Sequence, residues 1–256
     1  MKTFAILSVL LATALAAGPP APGGRGGPSG KGKGKGMTTP PGPSPPPPPP
    51  PPQPRCPSNA AQPDGKLPQG AISTSALVPI SASSPNTAYP SVEWAVVTPN
   101  DFCTIFNLRL DSDATQGKIC NLVFDFPDTD SGLYSFYGNG HFTFTGYGIN
   151  AGAVPGTTTY NQQPASGPSP PNPPPTLTPG NSYVVNALPC GIPPGIGMVT
   201  VSGALCSTDS VLSFKQQSGG ECPMGFYVIL TDDPNAQTSS AQQSSARNSS
   251  AAQNFS

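Results

Sequence analysis

Between residues 71 and 231 the chain alternates short apolar runs with clusters of Gly, Pro, Asn, Asp and Ser. The runs are rich in Val, Ile, Phe, Tyr and Thr, side chains that suit a pleated, half-buried surface. None sustains a 3.6-residue period. The pattern predicts ten strands, over 76–81, 92–98, 103–110, 118–126, 134–137, 141–145, 183–188, 198–205, 211–216 and 226–231. Many short strands separated by turn residues point to an all-β fold, an antiparallel β-sandwich of jelly-roll-like or immunoglobulin-like type. Residues 71–234 are enough chain for one such domain with its own core. The stretch PASGPSPPNPPPTLTP, 164–179, is expected to be a long exposed loop.

The clearest strand lies in GKICNLVFDFPDTD, 117–130. Period-2 order puts Cys120, Leu122, Phe124 and Phe126 on one face and Ile119, Asn121, Val123 and Asp125 on the other. Asp125 is therefore expected to point away from the main apolar face. Pro127 ends the ladder, and Asp128 to Gly132 supply a turn.

The flanks have a different composition. Residues 1–17 hold one Lys, an apolar run too short to span a bilayer, and Ala14-Leu15-Ala16, which fits a signal-peptidase site. They are read as a secretory signal. Residues 18–70 are a Gly/Pro/Lys-rich spacer, with KGKGKG at 31–36 and eight consecutive prolines at 45–52. Such a segment cannot bury enough apolar surface to order itself, and the proline run predicts a polyproline II rod. Residues 235–256 form a Ser/Gln-rich tail, expected to be disordered, with glycosylation sequons at Asn248 and Asn254. No membrane span and no hydrophobic C-terminal anchor signal are read from the sequence.

Secretion changes the reading of Cys56, Cys103, Cys120, Cys190, Cys206 and Cys222. In an oxidising compartment an even count suggests disulfides, and there is no C-x-x-C pair to suggest a metal or redox site. Spacing alone does not choose among the possible connectivities. The net charge of −1 hides a split. Residues 18–70 carry six Lys/Arg against Asp64, about +5, and residues 71–234 carry three against eleven acids, about −8. The basic arm is too sparse to argue for nucleic acid; weak attraction to an anionic wall polymer suits it better.

Candidate chemistry is thin. Asp128 and Asp130 begin a D-x-D-x-G pattern, and with Asp111 and Asp113 they are candidate calcium ligands, set against a plain solvated turn. The single histidine, His141, would have to serve any Ser-His-Asp site, and no G-x-S-x-G elbow accompanies it. Glu93, Glu221, Asp125 and Asp209 are available carboxylates, but spacing singles out no pair of the kind glycosidases use. Trp94, with Tyr89, Tyr134, Tyr137, Tyr147 and Tyr160, could stack on sugar rings or fill the core; Trp94 lies on the same side as Val92, which favours burial.

Several segments in order carry a resemblance: Leu77-Val78-Pro79-Ile80, Pro85-Asn86-Thr87-Ala88-Tyr89, Cys103-Thr104-Ile105-Phe106-Asn107-Leu108, GKICNLVFDFP, Thr159-Tyr160-Asn161, Pro179 to Tyr183, Leu188-Pro189-Cys190, and Cys222 to Tyr227. Together they resemble the fungal C-terminal domain of the ubiquitin 3 binding (But) protein, over about residues 71–231. The resemblance implies a fungal source, a secreted or cell-surface setting and a β-sandwich-like fold. It supplies no catalytic residues. It places Cys103, Cys120, Cys190 and Cys222 in motif positions, and so implies the pairs Cys120–Cys190 and Cys103–Cys222, leaving Cys56–Cys206. The family's name refers to an intracellular partner, which the signal contradicts. The expectation is a secreted, non-enzymatic cell-surface or matrix protein without cofactor, whose partners are wall polysaccharide or other surface proteins. A carbohydrate-binding or adhesive module is the first alternative; a cryptic hydrolase or secreted effector is the second.

Overall fold

The computed structural model describes residues 56–128, 132–167 and 173–236. The expected signal, the Gly/Pro arm up to residue 55, Asp130 and both sequons lie outside the described residues. All ten expected strands are present: β1 (Ile72–Ser81), β2 (Trp94–Val97), β3 (Phe102–Asp111), β4 (Lys118–Phe126), β5 (Tyr134–Gly138), β6 (Phe142–Gly146), β7 (Asn181–Pro189), β8 (Met198–Ser207), β9 (Ser210–Lys215) and β10 (Gly225–Asp232). They pair antiparallel in two sheets. The larger has the order β6-β8-β3-β1-β10-β4-β7, and the smaller β2-β9-β5. The chain is a disulfide-linked β-sandwich.

The core between the sheets is strongly aromatic. Phe124, Phe126, Phe214 and Phe226 are all at most 1% exposed. Phe226 stacks on Phe106 at 4.0 Å between ring centres, and Phe124 meets Phe214 edge-on at 5.5 Å. Each such pair adds roughly 0.5–1.5 kcal/mol beyond its burial.

The outer face of the large sheet is also covered, in two places. Over β1, β3 and β8, the segment 147–167 buries Val78, Ile80, Ile105 and Ala204 against Tyr147 and Ala153. Asn107 fastens it: its amide donates to the Ala153 carbonyl (2.8 Å), and its carbonyl accepts from Ala153 N (3.1 Å) and Ser202 Oγ (2.8 Å). A side chain on Gly152 would put its Cβ 2.6 Å from the Thr200 methyl, so only glycine allows this approach.

The second cover corrects the expected spacer. Residues 56–70 are not free arm but a strap tied to the sheet. Cys56 is bonded to Cys222, Gln62 is 1% exposed, and Asn59 Nδ2 donates to Ser182 Oγ at 2.6 Å. Gly65, at φ +66°, closes the strap's turn so tightly that a Cβ would lie 2.3 Å from the Cys56 carbonyl oxygen. Asp125 does point away from the main apolar face, but the strap covers that side of β4, and Asp125 is 0% exposed.

The cysteine pairs are Cys56–Cys222, Cys103–Cys206 and Cys120–Cys190, with Cα separations of 5.4, 4.5 and 4.9 Å. The expected Cys103–Cys222 and Cys56–Cys206 pairs do not form. The register explains why. β3 lies beside β8 with Thr104 opposite Leu205, so the next pair along the ladder sets Cys103 opposite Cys206. Cys222 precedes β10, on the side of the sheet where the strap begins. Cys120 reaches Cys190 because it lies opposite Leu188, two residues short of Cys190.

Candidate functional site

The small sheet turns one face outward, and the sugar-contact residue expected at Trp94 lies on it. Along β9 burial alternates: Leu212 and Phe214 face the core, while Val211, Ser213 and Lys215 face out. Trp94 lies opposite Lys215 on β2, and Tyr137 lies opposite Val211 on β5. Both are therefore outward, Trp94 at 38% and Tyr137 at 81% exposed. The expected burial of Trp94 beside Val92 is not realised, because Trp94 is the first paired residue of β2 and takes the outer register. Four residues along β9 and two strand spacings separate the two rings, roughly 16 Å by ideal sheet geometry. Lys215 Nζ and Glu93 Oε2, 3.2 Å apart, form an exposed ion pair beside Trp94.

The other tyrosines are dispersed. Tyr147 is buried in the outer cover, where its hydroxyl donates to Gln163 Oε1 at 2.8 Å, and burial pushes its phenol up to about 12. Tyr134 packs on Phe126 at 4.9 Å and Tyr89 on Phe102 at 5.7 Å, both edge-on. Tyr160 is 36% exposed, in the 147–167 segment.

The candidate calcium ligands serve turns. Asp111 Oδ1 accepts from Asp113 N at 2.9 Å, and Asp113 Oδ1 from Gly195 N at 2.8 Å. Asp128 is exposed and follows β4; its expected companion Asp130 lies outside the described residues. Among the described residues, no group of three or more His, Cys, Asp or Glu is placed to hold a metal ion.

His141 precedes β6 rather than opening it, and its Nδ1 lies 2.5 Å from Asp209 Oδ2. That bond, then the Ser210 hydroxyl, draws the Asp209 carboxyl down to about 2. The nearby hydroxyls are committed elsewhere. Ser210 Oγ donates to Asp209 at 2.7 Å and Ser207 Oγ to the His141 carbonyl at 2.7 Å. Among the described residues no serine hydroxyl bonds the imidazole, so the cluster ties the β8–β9 turn to the start of β6. Glu93 precedes β2, Asp125 lies in β4, Asp209 in the β8–β9 turn and Glu221 in the approach to β10, so the four carboxylates are in separate settings.

The most perturbed carboxyl is Asp125. Burial pushes it up to about 6, against two hydrogen bonds that favour its charged form. Oδ1 accepts from Ser182 Oγ and from Gln62 Nε2, the latter at 2.9 Å. Its second oxygen, Oδ2, and the Gln62 carbonyl Oε1 are both buried without a partner among the described residues. Tyr227, whose phenol burial and the Asp125 charge push above its ordinary range, hydrogen-bonds the Met224 carbonyl at 2.9 Å. Gln62 and Ser182 had no signal in the sequence: one sits in a Pro-rich segment, the other in a turn-like PGNS run.

A family model, the ubiquitin 3 binding protein But2 C-terminal domain, matches residues 75–220, more than half of the chain. The chain belongs to that family. No curated protein and no solved structure matches it. In this chain the folded unit runs past the matched stretch on both sides. β10 lies between β1 and β4 in the middle of the large sheet, yet begins after residue 220, and the strap with Cys56 and Gln62 precedes residue 75. The Asp125 network thus joins matched residues (Asp125 and Ser182) to one outside the match (Gln62).

Proposed function

We propose that this But2-family protein works outside the cell, at a fungal surface or in the surrounding matrix, as a non-catalytic β-sandwich module. The observation that carries the reading is that all six cysteines are paired, in three bonds that tie the strap, β3 to β8, and β4 to the end of β7. Structural disulfides of this density belong to oxidising compartments. The signal-like residues 1–17 support the same placement. The family name speaks of ubiquitin 3 binding, a partner of the cell interior, and is not extended to this chain. A non-catalytic role is favoured because the one imidazole is engaged by Asp209, and among the described residues no serine hydroxyl bonds it. The test is fractionation of the producing organism: the mature chain is expected in culture fluid or wall extract with no free thiol, and recovery of reduced protein in the cytosol would overturn the reading.

A second reading concerns what the module touches. Trp94 and Tyr137, exposed on one sheet face with Ser135, Ser213, Glu93 and Lys215 around them, suit an extended polysaccharide chain, with aromatic planes for the sugar faces and polar groups for the hydroxyls. Retention of the full chain on insoluble chitin or β-glucan tests it.

A further inference from the structure

The small sheet covers only part of the inner face of the large one. Beyond it lies an apolar slot of about 370 Å³, to which no residue of β2, β5 or β9 contributes. Its floor follows from the registers. Leu108 lies beside Val201 on β3 and β8, and Leu122 beside Val228 on β4 and β10. Phe106, stacked on Phe226, closes the inner end and separates the slot from the aromatic core. Leu188 on β7 and Ile149 after β6 form the lips, 44% and 46% exposed.

Both lips are pinned. The β7 side is held by Cys120–Cys190 and by Gln116 Nε2, which donates to the Ile192 carbonyl at 3.0 Å. The β6 side is held by Tyr147 N on Ser202 O (3.0 Å) and Gly167 N on Gly146 O (2.8 Å). The slot is thus preformed, and its volume falls in the range of small-molecule sites, roughly 300–1,000 Å³. Among the described residues, no Asp, Glu, Lys, Arg or His lines it. The side chain of Asn186, half-buried in the wall opposite Leu122, makes no hydrogen bond with any described residue.

We propose that this slot is a binding site for a single aliphatic chain bearing a neutral hydrogen-bonding head, such as a fatty alcohol. The chain lies over Leu108, Leu122, Val201 and Val228, and the head meets the Asn186 amide. The absence of lining charge selects against an ionised head, because a carboxylate buried there would have no cation to meet. The slot is too small for a folded partner, and a chain ligand would cover the two exposed lips, which otherwise leave apolar surface in water.

Titration of the full chain with decan-1-ol, read by displacement of the neutral dye Nile red, tests the proposal. Saturable one-to-one displacement is expected, with decanoate at neutral pH at least tenfold weaker. Val201→Phe, which fills the floor, should abolish displacement while its melting curve shows a folded domain. Asn186→Leu keeps the volume and removes the amide; one lost hydrogen bond, about 0.5–1.5 kcal/mol, corresponds to affinity lower by roughly 2- to 13-fold. No displacement by decanol, equal affinity for decanoate, or unchanged binding by a folded Val201→Phe variant would each overturn the proposal. So would a native dimer that Leu188→Asp dissociates with loss of dye binding, since the slot would then be an interface between copies.

Discussion

Gln62 Nε2 donates to Asp125 Oδ1 at 2.9 Å, across 63 residues of sequence, and leaves the other oxygen of each side chain buried without a donor among the described residues. An amide and an ionised carboxylate together are one donor short for those two acceptors. Burial away from water disfavours the charged carboxylate, and this raises Asp125 against the two hydrogen bonds it accepts. The strap and the sheet are therefore joined by a contact that prefers a neutral carboxyl.

A dependence of stability on pH follows. Asp125 rises from 3.8 to about 6 on folding. Between those values the folded chain keeps a proton that the unfolded chain has released, so this contribution is greatest below about pH 4. It falls as pH rises to about 6 and is then level, with a total change on the order of 3 kcal/mol. Asp209 acts in a lower window: its carboxyl is drawn down to about 2, so its contribution is present above 3.8 and lost below. Asp125→Asn supplies the missing donor at every pH. Melting temperatures of both proteins from pH 4 to 7 should converge at the acid end, with the variant more stable at pH 7; parallel profiles would refute the assignment.

The strap should loosen before the sheets do. Gln62→Ala removes a donor from a buried carboxylate and should destabilise by about 1–3 kcal/mol. Replacing Cys56 and Cys222 together by alanine should cost about 2–5 kcal/mol, the usual range for a native disulfide in a small secreted domain. Hydrogen exchange should show faster labelling of 56–70 in both variants, with β3 and β8 still protected. Uniform acceleration across all strands would mean that the strap is not a separate layer.

The outward aromatics separate binding from folding. Trp94→Ala and Tyr137→Ala remove exposed side chains and should each shift stability by less than about 0.5 kcal/mol. If the small sheet contacts polysaccharide, the pair of substitutions should lower retention on chitin or β-glucan beads. Retention that persists in the double variant would exclude this face.

The 147–167 cover should be sensitive at its closest approach. Gly152→Ala forces a methyl to within 2.6 Å of the Thr200 side chain and crowds the Asn107 amide, and overpacking of this kind costs roughly 1–3 kcal/mol. The measurement is chemical denaturation with an unchanged slope; a midpoint equal to that of the native chain would show that the cover yields freely.

Strand positions were legible because alternation is a local signal, and the strands of both sheets carry it. The early part of β1, Ile72 to Ser75, escaped it because small polar residues there fill a weakly buried edge of the ladder. What no local signal reveals is a second cover. Asp125 alternates with Val123 and Asn121 on the face away from the main apolar one, and the returning residues 56–70 meet it there through Gln62. That strap has no apolar period; it is held by a disulfide and side-chain hydrogen bonds, which leave little trace in composition. The cysteine pairs depend likewise on strand order. Nothing local tells that β8, rather than the approach to β10, runs beside β3. Trp94 was misjudged for a smaller reason, a strand that begins two residues later than its apolar run.

The extracellular, disulfide-closed account is tested most directly by peptide mapping, under non-reducing conditions and after thiol alkylation, of the chain recovered from culture fluid or wall extract. It predicts Cys56 joined to Cys222, Cys103 to Cys206 and Cys120 to Cys190, with no alkylated cysteine. Alkylated cysteines in the recovered chain, or a chain found only in the cytosol, would contradict it.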